Sequence, residues 1–287
     1  MLPLGWTAVN TLEFTALVGT GSLAAGLLGS LTGLGGGVVL VPLLTILFKV
    51  DIRYAIGASL VSVIATSSGA AAAYVKEGFS NIRIGMFLEI ATTLGALLGA
   101  FLTAWVSGSA IATIFGLMLI GSAYLSRKPR SALERNTPPD LIATRLCLNG
   151  WFPEVEGNRS YNVQNVPAGF GLMFVAGALS GLLGIGSGAM KVLAMDQTMK
   201  VPFKVSTTTS NFMIGVTAAA SAVVYIQRGY IHPAIAMPVV IGVLLGALSG
   251  SKILVRTSSS KWLRWLFAVV ISIIAVQMIY HGIAGKI

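Results

Sequence analysis

Gly33-Leu34-Gly35-Gly36-Gly37 cuts through one apolar stretch of this chain, and Gly184-Ile185-Gly186-Ser187-Gly188 cuts through another 151 residues later. Backbone that leaves the helix inside a bilayer exposes amides and carbonyls, which is tolerated only where they face protein, water or a bound ion. The surroundings are a bilayer by composition: 55% of the 287 residues are hydrophobic, 10% are charged, and the mean hydropathy is +0.85, outside the range of soluble domains. Apolar runs of roughly 17 to 23 residues fit helices crossing about 30 Å of hydrocarbon. An outer-membrane barrel would show short alternating segments instead. The doubled break is therefore the candidate functional centre.

Outward from the first break, helical runs are expected over 14–32 and, after the glycines, over 38–48, half the length of a spanning helix and with Pro42 in its early part. Spanning helices follow at 55–75, 83–105 and 111–125. Small residues crowd them, as in Gly95-Ala96-Leu97-Leu98-Gly99, and let helix backbones approach closely. From Phe170 the pattern starts again. A shift of 151 aligns Gly26 with Gly177 through to Gly99 with Gly250 without a gap, matching Ser59 with Ser210, Thr66 with Thr217 and Tyr74 with Tyr225. The organisation expected is repeat one over 1–126, an extramembrane connector over 127–166, and repeat two over 167–287. The connector is rich in charge and proline, and its Asn149-Gly150 is a candidate hairpin turn, with disorder of the stretch as the alternative.

A net charge of +10 is compatible with a nucleic-acid partner, but the Lys and Arg residues lie at the ends of apolar runs, where they act as topology signals. The expected partners are the lipid bilayer and a small anion, with no nucleic acid; small-residue faces also permit a homodimer. The turn at 106–110 has no Lys or Arg, whereas its counterpart carries Lys252, Arg256, Lys261 and Arg264. That asymmetry favours inverted repeats over parallel halves in which each broken element crosses once. The fold class expected is an all-α polytopic membrane protein. Its two inverted repeats each comprise a glycine-broken, re-entrant helix pair and three spanning helices. In a cell (inner) membrane the connector is then cytoplasmic and both termini lie outside. The start lacks a basic leader and carries Glu13, so no cleaved secretory peptide is expected. A single cysteine, Cys147, excludes an intramolecular disulfide framework.

Inverted repeats with broken helices place a substrate near the bilayer midplane, facing half-helix N-termini. Here those begin at Val38 and Ala189. Gly35, Gly36, Gly37, Gly186, Ser187 and Gly188 can bring bare backbone to an oxyanion; the alternative use of the glycines is tight helix packing. Lys191 stands where repeat one has Leu40, and a lysine at membrane depth costs about 2.5–3.5 kcal/mol on insertion scales. An anionic substrate would compensate it, as would snorkelling to an interface or pairing with Asp196. Ser59, Ser210 and Asn211 add hydroxyl and amide donors, with Thr66, Ser67, Ser68, Thr207, Thr208 and Thr209 nearby. Glu89 pairs with Val240 in the repeat and is either a coupling carboxylate, with Asp196, or a headgroup-level residue. His232 and His281 fall at helix ends.

Enzyme readings fare poorly. No G-x-G-x-x-G, P-loop or H-E-x-x-H motif is present, no metal site or cofactor is expected, and a serine hydrolase built on Ser187 has no base near it in sequence.

The residues resemble the TauE/SafE sulfite exporter family, also described as the toluene-sulfonate uptake permease group. Gly33-Leu34-Gly35-Gly36-Gly37 followed by Val41-Pro42 is similar to its first signature. The second is carried by Gly184 to Val192, Val201-Pro202 and Thr208-Thr209-Ser210-Asn211-Phe212 through Thr217. The chain departs from the family pattern at Ser187, in place of a middle glycine, and at Val192-Leu193, in place of a Val-Pro pair. The resemblance implies a secondary transporter of small sulfur-containing anions such as sulfite or organosulfonates, working by alternating access and often outward. An inside-negative potential worth about 2.3 kcal/mol per charge per 100 mV favours expelling a dianion without a coupling ion. Uptake would need coupling through Glu89 or Asp196. The alternatives are an anion channel, a proton-coupled permease for carboxylates or other organic anions, and an assembly subunit without transport.

Overall fold

The computed structural model describes residues 11–32, 36–76, 80–125, 140–154, 157–256 and 260–285. Gly33, Leu34 and Gly35, and the connector over 127–139, lie outside the described residues. So do the side chains of the basic run from Lys252 to Arg264 and the matched residues Tyr74 and Gly250.

The chain is mainly helical. In the first half α1 (Thr11–Thr32) leads to the short α2 (Gly37–Pro42), which continues into a π turn at Leu43–Leu47; α3 (Ile52–Lys76), α4 (Ile82–Leu102) and α5 (Gly108–Leu125) follow. The second half runs α7 (Val166–Leu183), α8 (Gly188–Leu193) with a π turn at Ala194–Thr198, α9 (Phe203–Gln227), α10 (Pro233–Arg256) and α11 (Ser260–Ile283). Between them stand α6 (Leu141–Arg145) and a hairpin of β1 (Gly150–Glu154) and β2 (Gly157–Tyr161). Among the described residues, Ile82–Leu102, Val166–Leu183 and Phe203–Gln227 are each long and apolar enough to cross a membrane. These helices are apolar nearly all round because lipid, rather than water, faces their outer side.

The two π turns show that the repeat is structural as well as sequential. Phe48 N donates to Leu43 O and Val50 N to Leu44 O; Met199 N donates to Ala194 O and Val201 N to Met195 O. Lys49 (φ 54°) and Lys200 (φ 57°) then turn the chain away in the left-handed region. All these positions correspond under the 151-residue shift. Pro42 precedes the first π turn and Leu193 the second, so a missing proline amide is not what widens the helix. Leu193, where the first half has Pro42, leaves the hydrogen bonding of the second π turn the same as that of the first.

Helix packing repeats the correspondence. α1 lies along α10, α4 along α7, and α3 against α9. A Cβ on Gly26 would come within 2.3 Å of Val243 O, and one on the matched Gly177 within 2.1 Å of Thr92 O, the match of Val243. Gly95 meets Phe174 O and Gly246 meets Leu23 O in the same exchanged fashion. Glycine is required at these crossings because backbone touches backbone. These four glycine crossings thus come in pairs with the halves exchanged.

Chain direction can be followed from polar anchors. Arg53, at the start of α3, donates to Thr103 O (3.2 Å) and Val106 O (2.9 Å) just beyond α4. Arg228, just past α9, donates to Phe101 O (2.9 Å) and stacks over the Phe101 ring at 5.0 Å. The two guanidiniums cap the carbonyl-rich end of one helix, where positive charge is favoured. The start of α3 and the end of α9 thus share one end of the molecule, and these matched helices run antiparallel. The short segments fold back along their predecessors. Gly36 lies against Gly26, Gly21 meets Leu43 and Phe48, and the Phe14 and Phe48 rings pack edge to face at 6.3 Å. Gln164 N donates to Met199 O at 3.0 Å in the second half.

The connector holds a hairpin, but Asn149-Gly150 is not its turn. Gly150 opens β1 opposite Tyr161, and the Asn149 amide oxygen accepts from Val163 N at 2.9 Å. A short polar dipeptide reads as a turn in sequence; here its side chain instead satisfies a backbone amide from the strand exit.

Candidate functional site

Gly37, the described end of the first break, meets the second break inside the molecule. α7 ends at Gly184, whose amide donates to Ser180 O at 2.8 Å, and the chain then passes through three left-handed residues: Gly184 (φ 68°), Gly186 (φ 72°) and Ser187 (φ 44°). From α3, the Ser59 hydroxyl donates to the Gly184 carbonyl at 2.8 Å. A Cβ on Gly37 would stand 2.7 Å from Ser59 Oγ and 3.2 Å from Gly184 O, so the start of α2, α3 and the second break share one point. Ser210 on α9 donates to Gly188 O at 3.3 Å. Val63 and Ile214 face Gly186 from α3 and α9. Gly36 and Gly37 are buried and Asn211 is half-buried beside Ser210. Of the residues singled out in the sequence, Gly37, Ser59, Gly186, Ser187, Gly188 and Ser210 therefore come together, and Gly36 adjoins them; Gly35 lies outside the described residues.

Ser187 is unusual on two counts. It holds a left-handed backbone, which costs a non-glycine residue about 1–3 kcal/mol, and its Oγ is buried with no hydrogen-bond partner among the described residues. The Ser59 and Ser210 hydroxyls are committed to the Gly184 and Gly188 carbonyls, so Ser187 Oγ is the hydroxyl at this buried point without a partner among the described residues.

One turn further along α8, Lys191 is fully buried. Its amide donates to Ser187 O, and its ammonium donates to the Thr217 hydroxyl on α9. Thr217 Oγ1 lies 2.7 Å from Glu89 Oε1 on α4 and 2.8 Å from Met213 O one turn back in its own helix. Glu89 Oε1 also accepts from Thr93 Oγ1 at 3.2 Å, while Glu89 Oε2 has no partner among the described residues. Glu89 is only 8% exposed, so its carboxylate faces the protein interior.

The burial of Lys191 corrects two expectations for how its charge is compensated. It does not snorkel, and it does not pair with Asp196, which sits in the π turn and accepts from Gln197 Nε2 at 3.2 Å. Five residues along a helix do not bring two side chains onto one face, whereas Glu89 arrives from another helix. The matched positions in the other half, Leu40, Thr66 and Val240, carry no charge. The ionic cluster occupies one of two pseudo-equivalent places.

Thr217 was visible in the sequence only as a residue identical across the repeats, and nothing local marked it as a bridge between charges. Asn81 was not visible at all. Its side chain caps α4 by accepting from Ile84 N (3.1 Å) and donates to Leu148 O (3.1 Å) and Tyr161 Oη (2.8 Å), while its amide donates to Thr209 Oγ1 (3.0 Å). It thereby ties the connector to α9 near the expected donor row. Burial pushes the Tyr161 phenol up from its ordinary value. Among the described residues no group of three His, Cys, Asp or Glu could hold a metal ion.

The family model described as "Sulfite exporter TauE/SafE" matches residues 18–278. The chain belongs to this family. Curated relatives agree: it is 30% identical over 280 residues to the "Probable membrane transporter protein YunE" of Bacillus subtilis (strain 168), covering 95% of this chain and 99% of that protein. It is 26% identical to the "Probable membrane transporter protein YdhB" of the same organism, over 79% of this chain and 85% of that one. A "Probable membrane transporter protein" of Xylella fastidiosa (strain Temecula1 / ATCC 700964) is 24% identical over 94% and 96% of the two chains. No solved structure matches significantly. The chain is thus a membrane transporter of the TauE/SafE family, and its relatives are named as transporters rather than enzymes.

Proposed function

We propose that the chain is a secondary transporter, principally an exporter, of small sulfur-containing anions such as sulfite or organosulfonates. The observation that carries this reading is the meeting of Gly37, Ser59 and the Gly184–Gly188 segment in the interior, with the fully buried Lys191 one turn beyond Ser187. In the proposed bound state Gly35, Gly36, Gly37, Gly186, Ser187 and Gly188 present backbone, and Ser59, Ser187, Ser210 and Asn211 present polar side chains. Lys191 supplies a compact positive charge. A strong anion then replaces, within the protein, the hydration that the ammonium lost.

The halves are proposed to be inverted, and the broken helices re-entrant. The antiparallel run of α3 and α9, deduced from Arg53 and Arg228 on the same end of α4, supports a pseudo-twofold axis in the membrane plane. The six-residue α2 and five-residue π turn rise only about 16 Å at 1.5 Å per residue, half of a bilayer core, which supports a return to the side of entry. The connector then lies in the cytoplasm and both termini outside, at the inner membrane. Rocking of the halves about the fixed site would expose it to each side in turn.

The test is flux in proteoliposomes. Saturable sulfite transport that falls at least ten-fold in Lys191→Ala, with the variant still folded by size-exclusion and thermal unfolding, is the expected result. Unsaturable conductance would make the protein a channel. Preferred flux of carboxylates over sulfite would reassign the substrate class, and no flux of any anion would favour an assembly role.

A further inference from the structure

Glu89 and Lys191 face each other through a single hydroxyl, and that hydroxyl has more acceptors than protons. Thr217 Oγ1 carries one hydrogen, yet two acceptors lie within reach, Glu89 Oε1 at 2.7 Å and Met213 O at 2.8 Å. When the carboxylate is ionised, a charge-assisted bond to Glu89 is the stronger choice. When it is protonated, the helix carbonyl takes the hydrogen at no geometric cost. The lone pairs of Thr217 accept from Lys191 in either case, so the hydroxyl can turn without moving a helix. Glu89 Oε2, buried and without a partner among the described residues, is the oxygen left to receive a proton.

The surroundings single out this pair. α7 (Val166–Leu183), packed along α4, carries no titratable side chain. α9 contributes Lys204 at its exposed start and Tyr225 at its far end, hydrogen-bonded to Thr103 and Gly181. α4 itself adds Arg83, exposed at its start beside Cys147 O. The connector brings Tyr161 onto Asn81, at the head of α4. The second π turn adds Asp196, buried and accepting from Gln197 Nε2; Lys191 is the charged group bridged to Glu89, through Thr217. A bilayer interior tolerates that cluster when its charges sum to zero, because an unpaired buried ion costs several kcal/mol.

Resting on the anion-binding reading above, though not on its outward direction, we propose that Glu89 is the proton-coupling carboxylate of the transport cycle, so that one proton travels with each singly charged anion in the same direction, outward only when the outward anion gradient exceeds the inward proton gradient. Two neutral states then alternate. In the empty protein Lys191 ammonium is balanced by Glu89 carboxylate through Thr217. In the loaded protein the ammonium is balanced by a singly charged anion, such as hydrogensulfite or a sulfonate, an O–H bond forms on Glu89 Oε2 with a proton from the aqueous side then open, and Thr217 turns to Met213 O. Opening to the other side reverses both steps, and the proton and the anion leave together. Anion alone, or proton alone, leaves the site charged, and such states are the ones least able to pass between the two access states.

The experiment uses the full chain in proteoliposomes with radiolabelled sulfite, subtracting protein-free vesicles to remove passive weak-acid uptake. Two fluxes are read: exchange of sulfite at equal concentrations, and net accumulation driven by an imposed pH gradient, acid outside, with the membrane potential clamped by potassium and valinomycin. Wild type is expected to accumulate sulfite several-fold when the gradient is imposed and not without it. In Glu89→Gln the ratio of driven to exchange flux is expected to fall at least ten-fold. Wild-type exchange that is indifferent to the gradient overturns the coupling proposal whatever the variant does, as does a Glu89→Gln ratio equal to that of wild type. Absence of sulfite exchange in wild type instead overturns the substrate reading on which the proposal stands.

Discussion

Replacing Thr217 by valine removes one hydroxyl and nearly nothing else, and the repeat supplies its own control. Thr217 Oγ1 accepts from Lys191 and reaches Glu89 Oε1 at 2.7 Å, both buried. Among the described residues, the matched Thr66 Oγ1 bonds only Ser62 O (3.0 Å) and Val63 O (3.2 Å) in its own helix. Hydrogen bonds to charged groups contribute about 1.5–3 kcal/mol each, and a buried charge left without one costs a similar amount. Two such bonds vanish in Thr217→Val. Some of the loss is recovered if the ammonium and carboxylate close on each other, so about 2–4 kcal/mol of destabilisation is expected. Thr66→Val removes a local back-bond that contributes little to a helix, and should change stability by less than about 1 kcal/mol. Thermal unfolding in detergent, followed by tryptophan fluorescence and size-exclusion, measures the difference; Glu89→Gln should shrink the Thr217→Val effect in a double-mutant cycle, since the shared partner is then neutral. Equal Tm shifts for the two threonine variants, or a Thr217→Val effect that is the same in the Glu89→Gln background, would refute the bridge.

Glycines at the interhelical crossings should tolerate no side chain. Gly177→Ala and Gly26→Ala place a methyl 2.1 and 2.3 Å from carbonyl oxygens and should each cost about 2 kcal/mol or more through helix separation. Gly171→Ala, with nothing within 4 Å of its Cβ, should be neutral or stabilising by up to about 1 kcal/mol; the same unfolding assay ranks all three. Ser187→Gly should relieve the left-handed strain and raise stability by about 1 kcal/mol, while weakening the half-saturating sulfite concentration in flux assays through loss of its hydroxyl. Asn81→Ala should free the connector from α4 and α9, seen as faster limited proteolysis between 140 and 165 with little change in the unfolding of the membrane helices.

The sequence by itself determined the membrane class, the doubled glycine break and the 151-residue repeat, because these depend on composition and local spacing: a helix long enough to cross lipid must be apolar, and a break inside it must be glycine-rich. The packing crossings were legible for the same reason, since Gly26, Gly95, Gly177 and Gly246 match in pairs and only glycine fits where backbones touch. The family's second signature likewise pointed to the region of Ser187 and Lys191. What Lys191 pairs with was not legible. Helical periodicity ranks neighbours along one chain segment, so it offered Asp196; the actual partners, Thr217 and Glu89, lie on α9 and α4 and are brought together by the crossing of three helices. The connector turn failed similarly, because Asn149 is committed to Val163 across the strand exit. Charge compensation in a low-dielectric interior is set by which helices meet, and distance in space, rather than separation along the chain, decides it.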